Sequence, residues 1–148
     1  RYFNVFGKRQ NPNGDYAAVI PKWISAMRSN NKIQIFGDGL TSRDFCYIEN
    51  VVQVNILSAL VNNKAKNKVY NVAYGKNTSL IELFNFIQKA LKTHSITYDL
   101  EPEYVGFRDG DVRHSLADIS KAKKLLSYNP QYNIEKGLAK TVKFFLES

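Results

Sequence analysis

The fold is decided by one stretch, Thr41-Ser42-Arg43-Asp44-Phe45-Cys46-Tyr47-Ile48. Its second half predicts a strand that leads directly into a helix beginning at Glu49 or Asn50. Residues three or four positions apart mark the packing face of that helix, namely Val51, Val54, Leu57, Ser58 and Val61. A strand that runs straight into a helix is the repeating unit of α/β proteins.

The same alternation extends in both directions along the chain. Apolar runs predict strands at residues 1–6, 33–36, 68–73 and 96–100. Periodic apolar residues predict helices at residues 17–29, 79–91, from 118 onward and 134–145. The third of the five helices opens with Ser79-Leu80-Ile81-Glu82, which is a capping box. The alternation predicts an α/β fold.

Length and composition exclude several classes of protein. The chain has 148 residues, of which 44% are hydrophobic and 23% are charged, so we expect one folded domain. It has no long apolar run, so we expect no membrane span, and no signal peptide is recognisable. One cysteine and two histidines exclude an internal disulfide and make a metal site improbable. These features fit a cytoplasmic protein.

The formal net charge of +8 is compatible with a nucleic acid, an anionic small molecule or simple solubility. Many lysines are spread along the predicted helices, which is typical of a solvated face. No basic stripe interleaved with exposed aromatic residues is present, and no nucleic-acid motif is recognisable. We therefore expect no nucleic-acid partner.

A second stretch, Phe107-Arg108-Asp109-Gly110-Asp111-Val112-Arg113-His114-Ser115, concentrates polar chemistry. Arg108 offers a planar fork of donors that can hold two phosphate oxygens. Asp111 is an acceptor for a pair of sugar hydroxyls, and Gly110 permits a tight turn. The stretch predicts a clamp for a phosphorylated sugar or nucleotide. A solvated loop whose charges pair with each other is the equally weighted alternative.

Two further polar residues leave alternatives open. Asn4 lies within an apolar run, so it is either a structural hydrogen bonder or a ligand contact. Arg43 follows the turn Gly37-Asp38-Gly39, and the alternative to a ligand contact is an ion pair with Asp44 or Asp38.

A catalytic set is missing from the sequence. It has no glycine-rich dinucleotide loop, no phosphate loop and no nucleophile elbow. No tyrosine precedes a lysine by four residues in a plausible helix. The chain also begins inside a predicted strand without a methionine, so we expect it to be a piece of a longer protein. From its residues alone it is an anion-binding domain without catalytic residues.

Five segments in matching order and spacing resemble the C-terminal part of the NAD-dependent sugar-nucleotide epimerases and dehydratases, an extended short-chain dehydrogenase/reductase family. These segments are residues 1–7, 17–23, 37–48, 70–73 and 108–115. The resemblance is strongest to bacterial UDP-N-acetylglucosamine 4-epimerases of O-antigen and Vi-type polysaccharide synthesis. It is carried by Tyr2-Phe3-Asn4-Val5-Phe6-Gly7, Tyr16-Ala17-Ala18-Val19-Ile20-Pro21-Lys22-Trp23 and Gly110-Asp111-Val112-Arg113-His114-Ser115.

The resemblance implies that residues 1–148 form one α/β unit, the C-terminal substrate-binding part of a Rossmann-type sugar-nucleotide epimerase. Residues 1–6, residues 69–73 and the helix after Glu49 would complete the Rossmann sheet. The N-terminal NAD-binding region, with its glycine-rich loop and its tyrosine and lysine pair, would precede this sequence. We therefore expect no catalytic residue in this chain, and NAD to be bound mainly by the preceding part.

The resemblance also implies the contacts of a UDP-sugar. Asn4 resembles the residue that holds the diphosphate or sugar, and Ala18 and Val19 match the segment that lies against the uracil. Gln34 and Phe36 occupy the strand that flanks uracil and ribose.

Three charged residues complete the implied site. Arg43 and Arg108 resemble the two arginines that grip the diphosphate, and Asp111 resembles the acid that accepts from the ribose hydroxyls. At the position of Ser115, relatives restricted to plain hexoses have a tyrosine. The serine leaves room for a 2-acetamido group and predicts UDP-N-acetylhexosamine substrates. The alternative is that Ser115 only caps the following segment.

The implied function is UDP-N-acetylglucosamine 4-epimerisation through a 4-keto intermediate, in surface polysaccharide synthesis. The residues of this chain would hold the UDP end while the sugar turns over. The intact enzyme would be a homodimer, as is usual in the family. A UDP- or dTDP-sugar dehydratase or decarboxylase is the alternative within the family. A non-catalytic anion-binding domain is the alternative from another class, and a nucleic-acid binder is third.

Overall fold

The structure is a computed structural model that describes residues 1–13 and 18–147. Its helices are α1 (Val19–Arg28), α2 (Ile48–Leu60), α3 (Leu80–Lys92), α4 (Ser120–Leu126) and α5 (Ile134–Glu147). Its strands are β1 (Val5–Phe6), β2 (Gln34–Phe36), β3 (Ser42–Arg43), β4 (Cys46–Tyr47), β5 (Thr78–Ser79), β6 (Glu103–Val105) and β7 (His114–Ser115). The first helix was expected to begin at Ala17, which lies outside the described residues.

The strands form three small sheets. β1 pairs with β4 and β2 pairs with β6, both in parallel. In the third sheet β3 is the central strand, antiparallel to β5 and parallel to β7. Parallel pairs whose strands are separated in sequence by helices confirm the predicted α/β class.

Two hydrophobic clusters hold these elements together. The larger one joins α1, α3 and α5 to β2, with Ile24, Ile35, Leu83 and Leu138 fully buried. Pro21 lies in the first turn of α1, where its missing N–H removes no helical hydrogen bond. The smaller cluster packs α2 against α4 and the segment around residue 72; its members include Val51, Val54, Val72, Ala122 and Tyr128.

The capping box that opens α3 is confirmed. The Ser79 hydroxyl accepts from the Glu82 N–H at 3.3 Å, and the Glu82 carboxylate accepts from the Ser79 N–H at 2.8 Å. The predicted stripe of α3 also faces the core, with Leu83, Phe84 and Ile87 buried and Leu80 partly buried.

The strand predicted at residues 68–73 is wrong. The segment makes only a single parallel bridge, between Val72 and Tyr2. With Val72 opposite Tyr2, residues 68–70 have no residue of the 1–6 run opposite them. The strand expected over residues 1–6 is also shortened, because Asn4 has a φ of 38° and interrupts it, so only Val5–Phe6 is a strand. A left-handed residue cannot continue a β-ladder.

The strand predicted at residues 96–100 is also wrong. Tyr98 is buried there, but its carbonyl accepts from the Gln88 side chain at 2.6 Å rather than from a neighbouring strand. The pairing with β2 is made instead by Glu103–Val105, just after the buried Pro102.

One residue of the predicted packing face of α2 does not pack against the core. Ser58 is exposed, and its hydroxyl donates to the Val54 carbonyl one turn earlier, at 2.7 Å.

Within the described ranges, no helix has the length and apolar character needed to cross a bilayer.

Candidate functional site

One cavity of about 830 Å³ gathers the predicted site residues. It opens between α1, β2, β3 and the loop of residues 106–113, here called the 106–113 loop. Every predicted site residue except Ser115 lines it: Asn4, Ala18, Val19, Gln34, Phe36, Arg43, Arg108 and Asp111. These residues are up to 107 positions apart in sequence, so their convergence follows from the fold. Their contacts with a ligand remain predictions.

Arg43 is the most firmly held cation in the cavity. One guanidinium nitrogen donates to the Ser42 carbonyl at 2.9 Å, and another forms an ion pair with Asp111. The Arg43 side chain is only 18% exposed. The alternative that Arg43 pairs with Asp44 or Asp38 is therefore wrong.

Asp44 is fully buried behind β3. Its carboxylate accepts from the Tyr74 N–H at 3.0 Å and from the Gly75 N–H at 2.9 Å. Burial raises the pKa of the Asp44 carboxyl, and the backbone donors partly oppose that rise. Asp44 thus ties the 74–75 turn to the strand that carries Arg43.

Asn4 is a structural hydrogen bonder, the first of the two roles that the sequence left open, and its ligand contact remains a prediction. Its side-chain amide donates to the Asp44 carbonyl at 3.3 Å, which is a structural hydrogen bond. Asn4 also lines the cavity, and its left-handed backbone places it outside β1. Asparagine adopts this conformation more readily than most residues with a side chain.

Arg108 reaches the cavity from the 106–113 loop. Its guanidinium carbon lies 4.3 Å from the centroid of the Phe36 ring, which is a cation–π contact. The contact is between the positive charge and the aromatic face, so it positions Arg108 at the cavity without a hydrogen bond to Phe36.

The 106–113 loop is anchored by contacts with the rest of the chain. Arg113 forms an ion pair with Asp38, and its guanidinium lies 5.1 Å from the Phe107 ring centroid. The hydrogen bond from Arg113 lowers the pKa of the Asp38 carboxyl. The Phe107 ring lies against Gly37, where a Cβ would come within 2.2 Å of it.

The ion pairs of the loop therefore lead out of it, from Asp111 to Arg43 and from Arg113 to Asp38. The alternative that the loop's charges pair with each other is wrong for these residues.

The other end of the cavity presents groups suited to a flat polar base. Ala18 is the N-cap of α1, and alanine has no side-chain oxygen to occupy the first N–H groups of the helix. Gln34 donates its side-chain amide to the Glu103 carboxylate at 3.2 Å, across the β2–β6 pair. Because an ionised carboxylate only accepts, this bond fixes which end of the Gln34 amide faces Glu103.

The charges that line the cavity favour an anion. Lysines 22 and 32 and arginines 43 and 108 are opposed by Glu103 and Asp111. Among the described lining residues, four cations against two anions leave an excess of two positive charges, which suits a diphosphate. Sequence analysis missed Lys22, Lys32 and Glu103. The first two adjoin predicted site segments, whereas Glu103 could be placed only once β6 was known.

Ser115 lies beside the site rather than in the lining of the cavity. It is partly buried in β7 and pairs in register with Arg43 of β3. Its neighbour His114 accepts from or donates to the Ser42 hydroxyl at 2.9 Å, which fastens the two strands together.

No group of three His, Cys, Asp or Glu side chains comes together as a metal site within the part of the chain that is described. Cys46 is buried in the smaller cluster, and burial raises the pKa of its thiol to about 11. A thiol of that pKa stays protonated near neutral pH and is a poor nucleophile.

Comparison with known proteins connects this geometry to a family. Residues 1–73 match the model of the NAD dependent epimerase/dehydratase family. A UDP-glucuronate 4-epimerase of Thermodesulfobacterium geofontis is 34% identical over 149 aligned positions, covering 100% of this chain and 42% of that protein.

Solved structures give the same result. The UDP-N-acetylglucosamine 4-epimerase of Methanobrevibacter ruminantium, in complex with UDP-N-acetylmuramic acid, is 44% identical with a TM-score of 0.89. The UDP-glucose 4-epimerase of Thermotoga maritima, with UDP-glucose, is 37% identical with a TM-score of 0.89. In both cases 99% of this chain matches 45% of the other. The chain thus spans less than half the length of these relatives.

Proposed function

Because the chain belongs to the NAD-dependent epimerase/dehydratase family, we propose that it is the UDP-sugar-binding part of an NAD-dependent UDP-N-acetylglucosamine 4-epimerase. The reaction would pass through a 4-keto sugar and serve surface polysaccharide synthesis. One observation carries the proposal: Arg43, Arg108 and Asp111 line a single cavity. Two guanidinium groups suit a diphosphate, and the carboxylate suits the adjoining ribose diol.

The part of these residues in the reaction is to bind and orient. Arg43 and Arg108 hold the diphosphate, while the first turn of α1 and the β2 strand lie along the uracil. A fixed UDP end allows the sugar to turn over without leaving the enzyme. Binding energy from this remote part of the substrate then supports chemistry elsewhere.

The described residues do not fit NAD. Among them no glycine-rich loop lies between a strand and a helix, which is the usual cradle for a dinucleotide pyrophosphate. We assign NAD to the remainder of the full-length protein.

The outer face of α2 supports the existence of such a remainder. Its exposed apolar residues recur every four positions, at Ile48, Val52, Ile56 and Leu60. Leu60 is 79% exposed and Ile56 is 56% exposed. A helix that is apolar on both faces is normally buried on both.

Thermal unfolding of the full-length protein with UDP, UDP-N-acetylglucosamine, dTDP and a DNA oligomer tests the binding half of the proposal. A ligand that binds only the folded state raises its stability. Selective protection by the two uridine ligands is expected. Protection by the oligomer alone, abolished by added salt, would instead indicate a basic nucleic-acid surface.

Product analysis tests the chemistry. With NAD and UDP-N-acetylglucosamine, the full-length protein should yield the C4 epimer without loss of mass. A product lighter by one water would indicate a dehydratase.

A further inference from the structure

The ion pair between Arg43 and Asp111 joins two groups to which the proposed function assigns different parts of one ligand. Arg43 is to hold a phosphate, and Asp111 is to accept from ribose hydroxyls. Resting on that function, we propose that the Asp111 carboxylate competes with the ligand's phosphate for Arg43 and thereby determines ligand specificity. The cavity thereby selects ligands that offer a phosphate and a neighbouring diol together.

The two partners differ in how firmly they are held. Arg43 is fixed by β3 and by its bond to the Ser42 carbonyl, and its side chain is 18% exposed. Asp111 is 38% exposed and belongs to the loop, in which residues 106–112 are all exposed. An incoming anion therefore displaces the Asp111 carboxylate from Arg43, and the exposed loop shifts to accommodate the displaced side chain.

A ligand with only one of the two groups leaves a charge without its partner. Pyrophosphate takes Arg43 from Asp111, and the freed carboxylate then lies beside a second anion. Uridine draws Asp111 toward its diol and leaves the Arg43 charge without a carboxylate partner, with only the Ser42 carbonyl as acceptor. UDP replaces both partners at once, because its phosphate faces Arg43 while its ribose hydroxyls donate to Asp111. Unpaired charges in a partly desolvated site are costly, so single-group ligands bind weakly.

Isothermal titration of the full-length protein with pyrophosphate, UDP and 2′-deoxy-UDP tests the inference. The Asp111→Asn variant keeps the shape of the side chain but removes the competing charge. We expect it to bind pyrophosphate several-fold more tightly than the wild type and UDP several-fold less tightly. The wild-type preference for UDP over 2′-deoxy-UDP should also shrink.

Asp109→Asn is the matched control. Asp109 is exposed on the same loop and has no ion-pair partner among the described residues. The Asp109→Asn variant removes one negative charge from the same loop without freeing Arg43, so the affinity for pyrophosphate should change little. If Asp111→Asn unfolds, Asp111→Ser takes its place; circular dichroism verifies the fold of each variant.

The outcomes separate the two proposals. If wild-type protein binds UDP but Asp111→Asn shifts both ligands in the same direction, the competition is refuted and the proposed function stands. Equal pyrophosphate gains in Asp111→Asn and Asp109→Asn would refute it as well. Failure of the wild type to bind UDP would refute the proposed function and this inference together.

Discussion

Arg43 lies directly opposite Ser115 in the parallel pairing of β3 with β7. Residues paired in register project from the same face of a sheet, because both strands share its pleat. The side chain at position 115 is thus next to an arginine that lines the cavity. A bulkier group at position 115 would therefore lie beside the Arg43 side chain.

Ser115→Tyr should therefore discriminate between substrates. In the full-length enzyme we expect kcat/KM for UDP-N-acetylglucosamine to fall at least tenfold more than kcat/KM for UDP-glucose, which corresponds to about 1.4 kcal/mol. Ser115→Ala removes the hydroxyl without adding volume and should leave the ratio unchanged. An equal loss on both substrates in Ser115→Tyr would show that residue 115 does not sense the acetamido group.

Arg108→Lys should weaken UDP binding although it preserves the charge. Lysine has no planar fork for two phosphate oxygens and cannot reproduce the contact of the Arg108 guanidinium with Phe36, 4.3 Å from the ring centroid. The expected loss is about 1.5–3 kcal/mol, as for a hydrogen bond to a charged group, measured by calorimetry. Arg28→Lys is the control, because Arg28 donates to the Phe145 carbonyl, and neither residue lines the cavity. Equal affinities in wild type and Arg108→Lys would exclude a bidentate grip.

Ser79→Ala should destabilise the chain by about 1 kcal/mol, the usual cost of removing an N-cap side chain. The Ser79 hydroxyl accepts from the Glu82 N–H, so alanine leaves that donor without its partner. Urea unfolding measures the change. Ser29→Ala is a suitable comparison, since Ser29 is exposed at the C-terminal end of α1 and its cap bonds use the backbone N–H. A loss as large in Ser29→Ala would remove the capping explanation.

The same box predicts an acid-sensitive part of the stability. Hydrogen bonds from the Ser79 N–H and hydroxyl hold the pKa of the Glu82 carboxyl below its usual range. A lowered pKa contributes stability above the unfolded-state pKa, and that contribution is lost as pH falls through the folded-state pKa. Glu82→Gln should therefore cost stability at pH 7 and much less near pH 3. A pH-independent cost would contradict this assignment.

Gly137→Ala should destabilise the contact between α5 and the β1–β4 pair. A Cβ at position 137 would lie 2.6 Å from the Phe6 ring and 2.9 Å from the Tyr47 ring. Both rings are buried, so they have little room to move, and overpacking of this kind costs about 1–3 kcal/mol. Gly106→Ala is the matched control, because a Cβ there meets nothing within 4 Å. Thermal unfolding of both variants measures whether Gly137→Ala loses more stability than Gly106→Ala.

Local patterns predicted those parts of the fold that depend on local physics. The capping box of α3 and its apolar stripe are set by neighbouring residues, and both are where they were expected. The strand at 68–73 failed because, with Val72 opposite Tyr2 in parallel, residues 68–70 have no residue of the 1–6 run opposite them, a register that no apolar pattern reveals. β6 was missed because a three-residue strand with two exposed residues has little hydrophobic signal.

The site could be foreseen only in outline. Residue type identified Arg108 and Asp111 as groups for a phosphate and a diol, and resemblance added Arg43 and placed all three in one site. The ion pair between Arg43 and Asp111 was not foreseen, because the two residues are 68 positions apart and meet only through the fold. Glu103 was missed for the same reason, since its place at the cavity depends on its pairing with Gln34.

A crystal structure of the full-length protein with UDP tests the central claim most directly. The account predicts diphosphate oxygens about 3 Å from the guanidinium nitrogens of both Arg43 and Arg108, with the ribose hydroxyls donating to Asp111. UDP bound outside the cavity, or held there with either guanidinium turned away from the diphosphate, would contradict it.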